Sequence, residues 1–324
     1  MKKAFAETLT ELASEDNRIV LLTGDLGFMT LEPFAAAHPA RFINVGVAEQ
    51  NMVGVATGMA EAGFIPFVYS IGPFAVARPF EFIKLGPVAH RLPVRIVGVG
   101  AGVDYANNGI THYNLEDIAL CRTQPGLKIV CPADNPGARE AIRKTWCLPC
   151  PIYYRLGKDD LPAVPGMKPG HPDRLQVIGN GKDALLLALG TAARDALEAA
   201  EALRKDGVET TVAVISALNP GPEAAVARLI GKFDNIQTVE HHYRAGGLGS
   251  WVAEIMAERG LKTQQAGEAG QARAQAQARL ARHGFRTLPA GKIGDRRYML
   301  EAHALSGTPL VKAIKKKLGR KKGA

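Results

Sequence analysis

Apolar residues along this chain fall into short runs at 19–22, 42–45, 64–69, 94–99, 128–131 and 152–154. Runs of this length predict strands buried on both faces. Between them, helical spacing of apolar positions over 5–13, 49–62, 79–90, 115–122 and 137–145 predicts helices packed on the sheet. Such alternation predicts an α/β domain with a mostly parallel sheet.

Residues 156–181 turn rich in Gly, Pro and Asp and lose their periodicity, which sets a first domain at 1–160 and a linker at 161–181. Alternation then resumes, with strands predicted at 184–189, 211–215 and 236–240 and helices at 192–204, 222–233 and 248–258. A strand at 285–288 and a helix at 310–318 close a second, smaller domain over 182–318. The expected fold is α/β, built of two doubly wound, mostly parallel-sheet domains. Within the second, 263–282 is a low-complexity insertion, and Leu280 is the one large apolar residue over 264–282. It can bury little, so a surface helix or a disordered segment is expected there.

Composition adds limits. A chain of 324 residues that is 47% hydrophobic and 22% charged is globular, and its longest apolar run, near 184–190, is too short to span a bilayer. Lys2 and Lys3 are followed by Glu7, Glu11, Glu15 and Asp16 rather than by an apolar stretch, so the expectation is a cytoplasmic protein without a membrane partner. Of the net charge of +9, seven positive charges lie in the last fourteen residues with no acid among them, which leaves +2 for the other 310. The end from 319 to 324 reads as a basic tail; with no recognition motif beside it, specific nucleic-acid binding is not expected.

Trp146-Cys147-Leu148-Pro149-Cys150 looks like a redox motif, but that chemistry needs its first thiol at a helix N-terminus. Here a helical segment precedes the pair and a strand follows, so reduced, structural thiols are expected. Gly98-Val99-Gly100-Ala101-Gly102 leads into loop residues instead of a helix, so it is not read as a dinucleotide fingerprint.

Two segments carry candidate chemistry. Val47-Ala48-Glu49-Gln50-Asn51-Met52 places a carboxylate at the opening of an apolar helix, just after a buried strand. Glu49 is either a first-turn acid complementing the helix dipole or a desolvated acid of raised pKa that shares a proton with a bound heterocycle. Asn108-Gly109-Ile110-Thr111-His112-Tyr113-Asn114-Leu115-Glu116-Asp117 delivers a histidine on a flexible turn just before a helix, and loops at strand C-termini are where open α/β sheets place their chemistry. His112 is structural or catalytic on this evidence alone.

Together these segments resemble the pyrimidine-binding domain of transketolases. The second domain resembles the transketolase C-terminal domain, including Thr238-Val239-Glu240-His241-His242-Tyr243-Arg244-Ala245-Gly246-Gly247-Leu248-Gly249. The resemblance implies thiamine diphosphate and Mg²⁺ as cofactors. It implies that Glu49 hydrogen-bonds N1′ of the aminopyrimidine and so activates the cofactor. Gln50, Ile71 and Phe74 complete the implied cofactor contacts, Phe74 being the best candidate for the stacking ring and core packing its other reading. His112 is the implied catalytic histidine at the substrate oxygen, joined at the substrate by Asn108 and Lys158.

Departures from the family matter as much. The diphosphate site needs a Gly-Asp-Gly segment and a downstream Asn that hold Mg²⁺, and no Gly-Asp-Gly occurs here. The expectation is therefore the β (C-terminal) subunit of a split transketolase, with no metal ligands of its own. An N-terminal, diphosphate-binding partner would complete an α2β2 assembly that moves two-carbon ketol units between sugars or sugar phosphates. Gly100 stands where the family has a histidine, Asn108 where it has an aspartate, and Lys158 where an arginine is expected, so the substrate itself is open. A deoxyxylulose-phosphate synthase-like protein or a 2-oxo-acid dehydrogenase β subunit is the alternative enzyme, and a non-enzymatic scaffold is a third reading.

Overall fold

The computed structural model describes residues 1–260, 278–289, 291 and 293–319. Its strands are β1 (Ile19–Thr23), β2 (Phe42–Asn44), β3 (Ile65–Ile71), β4 (Arg95–Val99), β5 (Lys128–Val130), β6 (Ile152–Leu156), β7 (Gln176–Ile178), β8 (Ala184–Leu189), β9 (Thr210–Ile215), β10 (Ala217–Leu218), β11 (Asn235–Tyr243) and β12 (Arg279–Phe285). The helices are α1 (Lys2–Glu15), α2 (Glu32–Ala37), α3 (Glu49–Glu61), α4 (Gly72–Val76), α5 (Phe80–Ile83), α6 (Asp117–Arg122), α7 (Asn135–Thr145), α8 (Ala193–Lys205), α9 (Glu223–Ile230), α10 (Leu248–Glu258), α11 (Arg296–Ala302) and α12 (Gly307–Leu318).

The first sheet runs β10-β5-β6-β4-β3-β1-β2 and is parallel except for β10. Alternate residues of β1 serve opposite cores. Val20 and Leu22 pack with Met52, Val53 and Ala56 of α3, whereas Ile19 and Leu21 pack with Phe5 and Leu9 of α1 and Ile142 of α7. This two-sided burial is why the strands read as mostly apolar runs, into which β4, β5 and β6 place the buried cations Arg95, Lys128 and Arg155. The second sheet, β12-β11-β8-β9-β7, is parallel except for β7.

Three expectations change. Gln176–Ile178, inside the expected linker, is β7. The helix expected over 79–90 changes type: α5 starts after Pro79 and passes directly into a π-helical turn at Lys84–Val88, where Pro87 lacks the N–H of a regular α-helix. The strand expected at 285–288 starts earlier, since Arg279–Phe285 pairs with β11 as an edge strand and takes over the end of the expected insertion. The rest of that insertion, and the tail beyond Gly319, lie outside the described residues. Arg95, fully buried, donates to the carbonyls of Trp146, Leu148 and Cys150, so the turn holding the free thiols Cys147 and Cys150 caps a buried cation.

The two domains are joined by backbone and side chain alike. β10 leaves the second domain to pair with β5, and Asn219 Nδ2 donates to the carbonyls of Gln124 (2.9 Å) and Leu127 (2.8 Å). His242 Nε2 accepts from the Ala119 N–H at 3.3 Å, which leaves Nδ1 to donate to the Tyr243 carbonyl at 2.7 Å. The ring is thus neutral, and burial pushes its pKa down to about 4 from an ordinary 6.5. A lowered histidine pKa gives stability that is whole above pH 6.5 and lost as pH falls towards 4. Buried Glu240 acts in the opposite sense: burial pushes it up to about 8, so its contribution is whole below 4.5 and lost as pH rises to 8. We expect the melting temperature of His242→Gln, measured by scanning calorimetry, to fall less steeply between pH 6.5 and 4.5 than that of the parent. Parallel curves would show that His242 is no part of the acid sensitivity.

Candidate active site

Glu49 is the first residue of α3 and only 1% exposed. Ser70 Oγ, near the end of β3, donates to Oε1 at 3.0 Å, and Arg78 Nη1 donates to Oε2 at 2.7 Å. Gly24, just past β1, lies over the same carboxyl, where an added Cβ would stand 3.4 Å from Oε1. Glu49 is therefore both a first-turn acid, favoured by the helix dipole, and a buried one. The carboxyl is shielded from solvent, as the second reading expects, but it faces a guanidinium.

Phe74 stands on α4, which follows β3 through Ile71 and Gly72. Only glycine permits this turn, because a Cβ at Gly72 would lie 2.0 Å from Asn114 Nδ2. The consequence is that α4 closes onto the loop that carries His112. The Phe74 and His112 rings meet edge to face with centroids 5.2 Å apart, and the Arg78 guanidinium carbon sits 4.1 Å from the Phe74 centroid. Burial lowers the His112 pKa below its ordinary value, and the Arg78 charge lowers it further.

The substrate candidates divide. Lys158 Nζ lies 5.0 Å from the Tyr105 ring centroid, and Tyr105 lies 6.2 Å from the His112 ring, so Lys158 belongs to the same neighbourhood. Tyr105 fills the space over Gly100, whose φ is +93° and whose added Cβ would come within 2.3 Å of that ring. No histidine fits there with Tyr105 in place. Ile71 is half-buried at the end of β3. Gln50 and Asn108 are exposed, and neither side chain has a hydrogen bond among the described residues. Among the described residues, no group of three or more His, Cys, Asp or Glu converges as metal ligands would.

Sequence reasoning missed Arg78, Ser70 and Tyr105. A signal for Arg78 exists: it is four residues beyond Phe74, the spacing at which side chains on a helical stretch meet.

A buried cluster holds these parts together. Arg155 Nε on β6 donates to Asp117 Oδ2 at 2.6 Å, as does the Tyr153 hydroxyl, and Asn114 Nδ2 donates to the same oxygen at 2.9 Å. Arg155 Nη2 spans the domains by donating to the carbonyls of Asn114 and His241, each at 2.9 Å. Removing one partner of a buried pair leaves the other charge uncompensated. Arg155→Gln is expected to cost about 3–5 kcal/mol in urea unfolding; a loss under about 1 kcal/mol, the size of an exposed pair, would mean that the pair is not a clamp.

The transketolase pyrimidine-binding domain family matches residues 1–163, and the transketolase C-terminal domain family matches 173–283. The chain is 36% identical over 264 residues to one subunit of the apulose-4-phosphate transketolase of Phocaeicola vulgatus, covering 79% of this chain and 83% of that protein. It is 33% identical over 263 residues to a 1-deoxy-D-xylulose-5-phosphate synthase of Kitasatospora griseola, covering 80% of this chain but 40% of that protein. A solved split-gene transketolase, described as an inactive β4 tetramer, superposes with a TM-score of 0.83 at 32% identity, over 98% of this chain and 97% of that one.

Proposed function

The chain belongs to the transketolase family, and we propose that it is the pyrimidine-side subunit of a two-chain transketolase, transferring a two-carbon ketol unit from a ketose to an aldose. The observation that carries this reading is the convergence of a buried helix-start carboxyl, Glu49, with the rings of Phe74 and His112. These groups fit an aminopyrimidine. The carboxyl, given a proton, matches a ring nitrogen, Phe74 offers a face for stacking, and Ile71 and Gln50 would add further contacts. Thiamine diphosphate, when bound, supplies the carbon nucleophile that cleaves the ketose and carries its fragment.

Glu49 would hold the proton facing the heterocycle. Arg78, 36% exposed, now shares that carboxyl and covers Phe74, so its guanidinium must swing aside to admit the ring. His112, with its lowered pKa, is neutral at pH 7 and able to exchange a proton with a substrate hydroxyl. Lys158 would hold an anionic group of the sugar as a point charge, and Asn108 would read a hydroxyl.

Diphosphate and Mg²⁺ would be held by a partner chain, in an α2β2 assembly. The loops around Glu49 suit such an interface, since Phe28 (74%), Met29 (97%), Val47 (73%) and Ile110 (50%) expose apolar side chains. The similarity to a deoxyxylulose-phosphate synthase favours a second reading, decarboxylation of an oxo acid; release of CO₂ from pyruvate by the assembled pair would select it.

Proton transfer by a positioned side chain contributes roughly 10²–10⁴-fold. In the chain assembled with a partner bearing Gly-Asp-Gly, Glu49→Gln is expected to lower ketol-transfer kcat at least about 100-fold while assembly persists. Turnover near that of the parent would remove Glu49 from the chemistry.

A further inference from the structure

A cavity of about 390 Å³ opens in the second domain between the end of β12, the turn from α11 to α12 and the last turns of α12. None of the residues placed around Glu49 lines it. Its walls carry Arg244, Arg286, Lys316 and Lys317, with His283 and His303 beside them and no Asp or Glu among the lining residues. Lys316 and Lys317 share a face of α12 with Ala313, whose small side chain leaves the opening clear.

These four Lys and Arg charges lack ion-pair partners among the described residues, whereas neighbouring Lys315 pairs with Asp206. Arg244 Nε is buried and has no hydrogen-bond partner among the described residues. Glu240 lends Arg244 some electrostatic support but forms no ion pair with it; its oxygens accept from the N–H groups of Leu248 and Gly249 at 2.6 and 2.9 Å, and burial pushes its pKa up to about 8. Burial, and then the charges of Arg244, Lys317 and Arg286, push His283 down to about 4, which registers the positive field from inside the domain.

Four like charges around one concavity repel one another, and an anion seated among them relieves that repulsion. Two arginine forks suit the oxygens of a phosphate group. The cavity has the size of a small-ligand site and exceeds what one phosphate needs. No Phe, Trp or Tyr lines it for base stacking, which speaks against single-stranded nucleic acid. We propose that this cavity is a binding site for a small phosphorylated metabolite, separate from the Glu49 site.

The test is calorimetric titration of the full chain with glycerol 3-phosphate, with glycerol and sodium chloride as controls. Saturable one-to-one binding is expected for glycerol 3-phosphate alone. The double variant Arg286→Gln/Lys317→Gln should weaken it at least tenfold, and Arg286→Lys/Lys317→Arg should retain it within a few-fold. Lys158→Gln, at the other site, should leave it unchanged. Binding lost in Lys158→Gln but kept in the double glutamine variant would assign the phosphate to the Glu49 neighbourhood and overturn the proposal. Heat that never saturates, or that chloride reproduces, would reduce the cavity to a diffuse charged surface and overturn it equally.

Discussion

Burying the Arg155 guanidinium against the Asp117 carboxylate removes two charges from water, at a desolvation cost that their attraction alone does not reliably offset. The fold meets that cost with further hydrogen bonds from Tyr153 and Asn114 to Asp117, and from Arg155 to two carbonyls. One of those carbonyls belongs to Asn114 in the first domain and the other to His241 in the second. The pair therefore serves position more than net stability. It fixes where the domains meet and, through Asn114, where the loop of His112 and the helix of Phe74 touch.

Much of the site follows from that placement. Asn114 lies against Gly72, so α4 is pressed onto the loop and the Phe74 ring meets His112. Arg78, four residues on, then reaches Glu49 across the face of Phe74. A buried carboxylate without a partner would be costly. Arg78 and Ser70 satisfy Glu49 in this chain, and under the proposed function a heterocycle would have to exchange with that arginine. The acid is satisfied, and the cation that satisfies it is partly exposed.

The buried strands were legible because β1, β4, β6 and β8 are covered on both faces and so are mostly apolar, even with Arg95 in β4 and Arg155 in β6. β12 was not, since Arg279, Leu280, Ala281 and Arg282 form an edge held by backbone pairing to β11, which no side-chain pattern announces. β10 was hidden for a related reason: two residues pair with a strand about 90 positions away. At the site, Glu49 and His112 stood out through their segments, and Phe74 only through the family resemblance. Arg78 and Tyr105 did not, because their parts depend on what the folded loops bring near them. Gly100 was noticed as a missing histidine, and its physical meaning emerged only with the Tyr105 ring over it.

If thiamine diphosphate is held at its pyrimidine end by this chain and at its diphosphate end by another, neither chain alone has the full set of contacts. Equilibrium dialysis of thiamine diphosphate with Mg²⁺ against this chain, the partner and their mixture tests that division directly. The expected result is saturable binding of one cofactor per chain pair in the mixture and none in either chain alone. Equally tight binding to this chain by itself, or no binding by the assembled pair, would contradict it.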